Sequence, residues 1–312
     1  GIVLFVIGSV GCALAGSMET LVLWRFFQAL GACVGPMLSR TMIRDLYGQQ
    51  EAARMLSTLV MIMAIAPILG PMLGGLLLKV SGWQANFWLL TAIGAVMLLA
   101  ACRLPETLPA GKRATGTLAS AFRAYGPLLR NRAYMRTTLC VTFFYVAIYA
   151  FIAGSPFVYL TYFGLDSNWY GPLFGVNILG VVALSAANRR LLQRYSLARM
   201  LKVSTRMAAA ASVLLSVFAL TGVGGLWGIV LPIFAVFSMN GIIAACCNAA
   251  SLASVDSQSA GSAAALMGAL QYGSGVVSSL LLAAFSTGTP RTMSVVITVF
   301  VVLSALMVQG GS

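Results

Sequence analysis

Polar side chains are scarce in this 312-residue chain, so each one inside an apolar run has to be accounted for. The stretch Leu21-Val-Leu-Trp-Arg25-Phe-Phe-Gln28-Ala-Leu-Gly31 sets a guanidinium about 7 Å of helical rise beyond Thr20 or Leu21. An arginine cannot shed its proton. At that depth it needs a carboxylate, a carbonyl or a water-filled cavity, and it would lower the pKa of a neighbouring acid that carries protons. That is the chemistry of proton coupling. The alternative is that Arg25 snorkels to the outer headgroups, and depth alone leaves both readings open. Gln28, three residues on, shares the face of Arg25 and points to a polar site inside a helical bundle.

A second set of residues suits ligand contact. Tyr145 and Tyr149 share a face at i, i+4, and Phe174 and Asn177 share one at i, i+3. Asn240 and Asn248 lie on adjoining faces of one helix, while Gln271, Ser274 and Ser278 form a stripe on another. Hydrogen bonding between helices, or an aromatic belt at the membrane interface, is the competing use of every one of them. A cavity lined by aromatics, methionines and amides with few charges would suit small lipophilic compounds of varied shape.

Other chemistry is excluded by what the chain lacks. It contains no histidine, which rules out Ser-His-Asp and Cys-His nucleophilic centres and His-containing zinc sites. Cys12, Cys33, Cys102, Cys140, Cys246 and Cys247 all lie in or at the ends of apolar runs without Cys-x-x-Cys spacing, and read as small apolar fillers. No metal or cofactor is expected.

The elements that position these residues follow from composition. Apolar residues make up 60% of the chain and charged ones 8%, whereas a wetted globular surface needs roughly a quarter charged. The surrounding solvent must be lipid. Ten runs approach the length of about 20 apolar residues that a helix needs to cross roughly 30 Å of hydrocarbon. They fall at 1–16, 20–42, 53–78, 84–104, 137–160, 169–188, 200–221, 225–249, 262–286 and 291–309. Continuous apolarity is not the alternation of a barrel strand, so the fold class is an all-α membrane protein. Pro67, Pro71, Pro156 and Pro232 then mark kinks, and Gly31/Gly35 and Gly171/Gly175 mark close helix contacts.

The 19 basic residues against 6 acids give a formal charge of +13, and their placement decides its meaning. Sixteen of them fall in one alternating set of gaps, running from Arg40 through Lys112 to Arg206, and only Lys79 and Arg291 fall in the other. Positive residues stay cytoplasmic, which puts both visible chain ends on that side and explains the charge without nucleic acid. The longest gap divides the chain into an N-terminal half, 1–104, a cytoplasmic linker, 105–136, and a C-terminal six-helix half, 137–312. Leu118, Phe122, Tyr125 and Leu129 predict a short amphipathic helix in the linker. The first run supplies only about 22 Å of helix, and four spans before the linker against six after it imply two further spans upstream.

In the third run, Gly70-Pro71-Met-Leu-Gly74-Gly75 combines small residues that admit a neighbouring backbone with prolines that bend the helix. With it the chain resembles a known family. Arg25-x-x-Gln28-Ala-x-Gly31 resembles the fourth-helix motif of major facilitator superfamily drug:proton antiporters, and Gly70-Pro71-x-x-Gly74-Gly75 is similar to their fifth-helix antiporter motif. Arg44-Asp45-Leu-Tyr47, Pro105-Glu106-Thr107-Leu108-Pro109, Ser155-Pro156-Phe157-Val158-Tyr159, Leu173-Phe174-Gly-Val-Asn177, Asn188-Arg189-Arg190 and the Gly261–Gln271 segment resemble the bicyclomycin/chloramphenicol-resistance (Bcr/CflA) subfamily. Ser57 and Ala66 stand where the longer antiporter motif often has glycine.

The resemblance implies a major facilitator bundle in which these are helices three to twelve of twelve. It implies a monomer of the bacterial inner membrane that exports small hydrophobic or amphiphilic drugs by proton antiport through alternating access. The partners would be drugs or metabolites, protons and membrane lipids. Glu19, Asp45, Glu51, Glu106, Asp166 and Asp256 all fall in loops or at span edges, so the proton-carrying carboxylate would belong to the family's first helix, with Arg25 modulating it. Uptake or exchange of a metabolite by the same fold is the alternative. A membrane-embedded lipid enzyme or a receptor fits less well, for want of histidine and of acids within the spans.

Overall fold

The computed structural model of the chain describes residues 1–35, 39, 42–43, 51, 55, 69–70, 73–103, 125–256, 259–285 and 287–309. These residues are helical or in turns between helices, and they divide into two units, Gly1–Thr115 and Gly116–Ser312.

The first unit contains α1 (Ile2–Ala13), α2 (Met18–Ala32) and α3 (Gln84–Ala101), and residues 73–81 are helical too. Ser17 starts α2 with a reciprocal cap: its hydroxyl accepts from the Thr20 N–H at 3.3 Å, and Thr20 Oγ1 accepts from the Ser17 N–H at 3.2 Å. α1 packs against both α2 and α3, and glycines set how closely. A Cβ on Gly8 would stand 2.6 Å from the Gln28 backbone nitrogen, one on Gly31 would collide with the Phe5 backbone, and one on Gly94 would lie 2.8 Å from Val6.

The second unit contains α4 (Tyr125–Arg130), α5 (Arg132–Pro156), α6 (Ser167–Leu191), α7 (Leu197–Thr221), α8 (Gly225–Ser238), α9 (Asn240–Ala253), α10 (Ala260–Ala284) and α11 (Pro290–Gln309). Asn131, Asp166 and Ser196 cap α5, α6 and α7 through their side-chain oxygens. Gly222 and Gly224, with φ of 74° and 80°, turn the chain from α7 into α8 through a left-handed conformation that other residues rarely adopt. α5 packs against α9, α10 and α11, α7 against α8, α9 and α11, and α6 against α8 and α9. Phe144, Phe151, Ile229, Ile233, Ile243 and Ile297 fill the interior.

Polar cross-links stitch the helices together where hydrocarbon offers no other partner. Tyr134 Oη donates to the Ala263 carbonyl at 2.7 Å, Arg136 Nε to Met307 O at 3.1 Å, Ser304 Oγ to Cys140 O at 2.7 Å and Ser278 Oγ to Val146 O at 2.9 Å. The outward faces are apolar instead: Val213, Leu214, Val217 and Leu220 of α7 and Val276 and Leu280 of α10 are exposed, as lipid contact requires.

Seven helical stretches among the described residues are long and apolar enough to cross a membrane, where the sequence predicts ten. α1 has 12 residues and α2 has 15, both short of a full crossing, and most of the run at 53–78 lies outside the described residues. The run at 225–249 is one crossing stretch, Gly225–Ala253, with a single turn residue, Met239, between α8 and α9. The run at 137–160 begins earlier, at Arg132, and beyond Pro156 it widens over Phe157–Tyr162, where the Phe163 N–H reaches back to the Val158 carbonyl at 3.1 Å. The missing donor of Pro156 accounts for that change of pitch. Of the linker helix, Leu118 and Phe122 lie outside the described residues. In α4 the residue that packs inward is Leu128, while Leu129 is 54% exposed.

Candidate functional site

In the first unit, Arg25 and Gln28 are brought together as the spacing predicts. Arg25 Nη1 donates to Gln28 Oε1 at 2.8 Å, Gln28 Nε2 donates to Ser9 Oγ at 2.7 Å, and Ser9 Oγ donates to the Phe5 carbonyl at 2.7 Å. The result is a chain of polar groups crossing from α2 into α1. Gln28 is 3% exposed, so its amide is a committed interior group whose donor and acceptor are both used. Arg25 itself is exposed. Its guanidinium lies 5.6 Å from the centre of the Phe87 ring of α3, which adds a cation–π contact. Among the described residues its acceptor is therefore an amide rather than a carboxylate.

This arrangement depends on the glycines beneath it. Gly8 immediately precedes Ser9, and the bare Gly8 backbone lets the Gln28 main chain come close enough for its side chain to reach the Ser9 hydroxyl. Ser9 and Phe87 escape sequence reasoning because they come from other helices. The available signal was the lone hydroxyl beside a glycine in the otherwise apolar first run.

Gly70, Gly74 and Gly75 are not held against a described backbone. The nearest atom to a Cβ on Gly74 is Asn86 Oδ1, at 3.4 Å, and no atom lies within 4 Å of one on Gly70 or Gly75. Pro71 lies outside the described residues, as do Arg44, Asp45, Tyr47 and Pro105–Pro109. Gly31 packs closely as its motif predicts, but Gly35 and Gly175 have open space beside them.

In the second unit, Tyr145, Tyr149, Asn240 and Gln271 converge from α5, α9 and α10. The two tyrosine rings meet edge to face with centres 5.9 Å apart. The Asn240 and Gln271 side chains lie near the Tyr145 hydroxyl. Gly275 leaves room for the Tyr149 ring, 3.4 Å from its Cβ position. Ser274 and Ser278, on the same stripe as Gln271, are buried and bond within the bundle, the second of them across to α5.

Phe174 goes elsewhere. It stacks on Phe151 at 5.7 Å with planes 8° apart, in a buried aromatic group with Phe237, Tyr159 and Tyr170. Asn177, one turn on, is 3% exposed and donates to the Leu173 carbonyl at 3.1 Å, while Asn248 donates to Ala244 O at 2.6 Å. The pairing expected of Phe174 and Asn177 is thus split between core packing and polar burial.

Four buried polar atoms have no hydrogen-bond partner among the described residues: Asn177 Oδ1, Asn240 Oδ1, Ser238 Oγ and Tyr159 Oη. Each unmet group costs about 1–3 kcal/mol, so such groups mark places where water or a ligand completes the site. Ser238 and Asn240 flank Met239, where α8 passes into α9, and Ser238 packs against Gly180, three residues beyond Asn177.

Residues 1–279 match the family described as Major Facilitator Superfamily. The chain is 38% identical over 185 residues to the uncharacterized MFS-type transporter YdgK of Bacillus subtilis, covering 58% of this chain and 46% of that protein. It is 24% identical over 286 residues to a bicyclomycin resistance protein homolog of Haemophilus influenzae, covering 90% and 71%. It is 28% identical over 190 residues to the multidrug transporter MdfA of Yersinia pestis, covering 59% and 46%. The chain thus spans about half the length of two of these three relatives. Among solved structures it is similar to a bacterial homolog of the human lysosomal transporter Spinster, with a TM-score of 0.70, 16% identity and coverage of 98% of this chain and 80% of the other. It is likewise similar to a D-xylose-proton symporter, with a TM-score of 0.72, 15% identity and coverage of 99% and 78%. At those identities the likeness speaks for the fold alone.

Proposed function

Because the chain belongs to the Major Facilitator Superfamily, it is a multi-pass transport protein and not an enzyme, and we propose that it exports small hydrophobic or amphiphilic compounds in exchange for protons. The observation that carries this reading is the buried Gln28 amide, which holds the Arg25 guanidinium on one side and the Ser9 hydroxyl on the other within an otherwise apolar helix pair. A fixed positive charge anchored in that way can bias the proton affinity of a carboxylate that comes near it. The named activities of the Haemophilus and Yersinia relatives, bicyclomycin resistance and multidrug transport, favour export and a Bcr/CflA-like drug range.

Substrate is held in the second unit by Tyr145, Tyr149, Asn240 and Gln271, with Asn177 supplying a further amide. Phe174 acts through the aromatic packing behind them. Tyrosine faces and neutral amides recognise ring systems and scattered polar atoms without demanding one charge or shape. In cells carrying the full-length protein, Tyr149→Ala is expected to lower apparent drug affinity roughly tenfold by removing one aromatic wall. Asn177→Ala should narrow the range of compounds exported. Resistance profiles identical to wild type, at equal protein level, would remove both residues from the site.

The protein acts as a monomer in the bacterial inner membrane, with both visible ends and the 105–136 linker cytoplasmic, Gly70, Pro71, Gly74 and Gly75 serving as the hinge of the antiporter motif. Single cysteines replacing Arg189 and Arg291, in a background without the exposed Cys33 and Cys102, should label from opposite faces of the membrane. Labelling of both from one face would reject the orientation.

A further inference from the structure

The hairpin between α6 and α7 carries Arg189, Arg190, Arg194, Arg199 and Lys202, with no acid between Asn188 and Met207, and Arg206 lies one turn further along α7. After residue 116 the only acids are Asp166, at the opposite end of α6, and Asp256. Five cations therefore share one end of two membrane helices with no acid between them in the sequence, a situation that attracts anionic groups.

Directly beneath them the structure has a groove of 400 Å³. It runs between the last turns of α6 and the first turns of α7, and Met239 and Ile242 close it where α8 passes into α9. Tyr195 and Arg199 line its polar end, with the Arg199 guanidinium 5.2 Å from the centre of the Tyr195 ring. Its walls are apolar, from Leu184 and Leu191 on one side to Val203 and Met207 on the other. Val203 and Met207 are 47% and 54% exposed, so the groove opens sideways into the membrane. From Arg199 to Met207 it descends about 12 Å along the helix, close to the roughly 15 Å of hydrocarbon in one leaflet.

We propose that this groove binds one anionic phospholipid, with the phosphate held by Arg199 and the neighbouring cations and one acyl chain lying along Val203 and Met207 to Ile242. Charge complementarity selects the headgroup, and the depth of the slot selects a chain anchored in a single leaflet. A free phosphate would leave the apolar slot empty, and a zwitterionic lipid brings no net charge to five cations. The occupant would touch α6, α7 and Met239 together, bracing the span whose Ser238 and Asn240 carry two of the unpaired polar atoms. This inference stands apart from the direction of transport and from the identity of the exported compound.

Native mass spectrometry of the detergent-purified full-length protein, offered phosphatidylglycerol or phosphatidylcholine of matched chains, tests it. Wild type should retain one phosphatidylglycerol in preference to phosphatidylcholine by about tenfold or more. Arg199→Gln should reduce that preference. Val203→Trp, which fills the slot and leaves every cation in place, should abolish retention while the protein stays monodisperse. Equal retention of the two lipids by wild type would overturn the proposal. So would full phosphatidylglycerol retention by Val203→Trp, which would indicate loose annular attraction to the hairpin, or complete displacement of the lipid by inorganic phosphate. The comparison of lipids on wild type decides the matter even where a variant does not fold.

Discussion

Arg25→Ala is expected to abolish proton-driven export while leaving membrane insertion and folding intact. The guanidinium lies at the outer edge of the α2 polar chain, where it donates to Gln28 within its own helix and makes a single cation–π contact to Phe87 of α3. Its loss leaves the Gln28–Ser9 bond in place and removes the one cation of α2. A carboxylate that relied on this charge would see its pKa rise, and each unit of rise weakens deprotonation by about 1.4 kcal/mol, or tenfold. Arg25→Lys keeps the charge on a point donor and should retain part of the activity. Gln28→Leu should be worse than Arg25→Lys, since it removes the bond across to Ser9 and frees the guanidinium together, at a cost of about 1–3 kcal/mol, while Ser9 keeps its bond to the Phe5 carbonyl. Growth on a lipophilic antibiotic, with protein level and monodispersity measured alongside, reads all three. Export by Arg25→Ala at the wild-type rate would reject the coupling role.

Gly8→Leu is expected to destroy the first unit altogether. A Cβ at Gly8 would stand 2.6 Å from Gln28 N and 2.7 Å from Gln28 Cα, both backbone atoms that cannot swing aside. α1 and α2 would have to separate, breaking the Gln28–Ser9 bond and losing the close approach at Gly31. Overpacking against backbone costs at least about 3 kcal/mol, and in this case it adds to the lost polar contact. Gly35→Leu is the control, four residues beyond Gly31, where no atom of the described residues lies within 4 Å of the Cβ position. Size-exclusion profiles after heating should show Gly8→Leu lost or aggregated and Gly35→Leu near wild type. Comparable profiles for the two would mean that the glycine contacts do not set the helix spacing.

Which parts of this molecule can be read from its residues follows from the solvent. Continuous apolarity reveals helices in lipid because no other backbone arrangement satisfies its own hydrogen bonds there, and the all-α fold follows directly. The same apolarity hides which way a helix faces. In water the outward side of α6 would be polar and Phe174 could be placed by periodicity. In lipid both sides are apolar, and only the structure puts Phe174 on Phe151 in the core.

Polar residues behave in the opposite way. Gln28 stood out because an amide within a span must find partners, and it finds two. Tyr145, Tyr149, Asn240 and Gln271 were legible as polar or aromatic positions, and their convergence needed the crossing of α5, α9 and α10. The partners Ser9 and Phe87 come from other helices, which spacing along one segment does not report.

The central claim is that the protein exchanges protons for a lipophilic compound, and proton movement in proteoliposomes addresses it most directly. Purified full-length protein is reconstituted with an acidic lumen and a pH-sensitive dye, and a lipophilic drug is added outside. The account predicts drug accumulation in the lumen with simultaneous loss of its acidity, both abolished by Arg25→Ala. Drug movement that leaves the lumenal pH unchanged, or a solute that enters only together with protons, would contradict it.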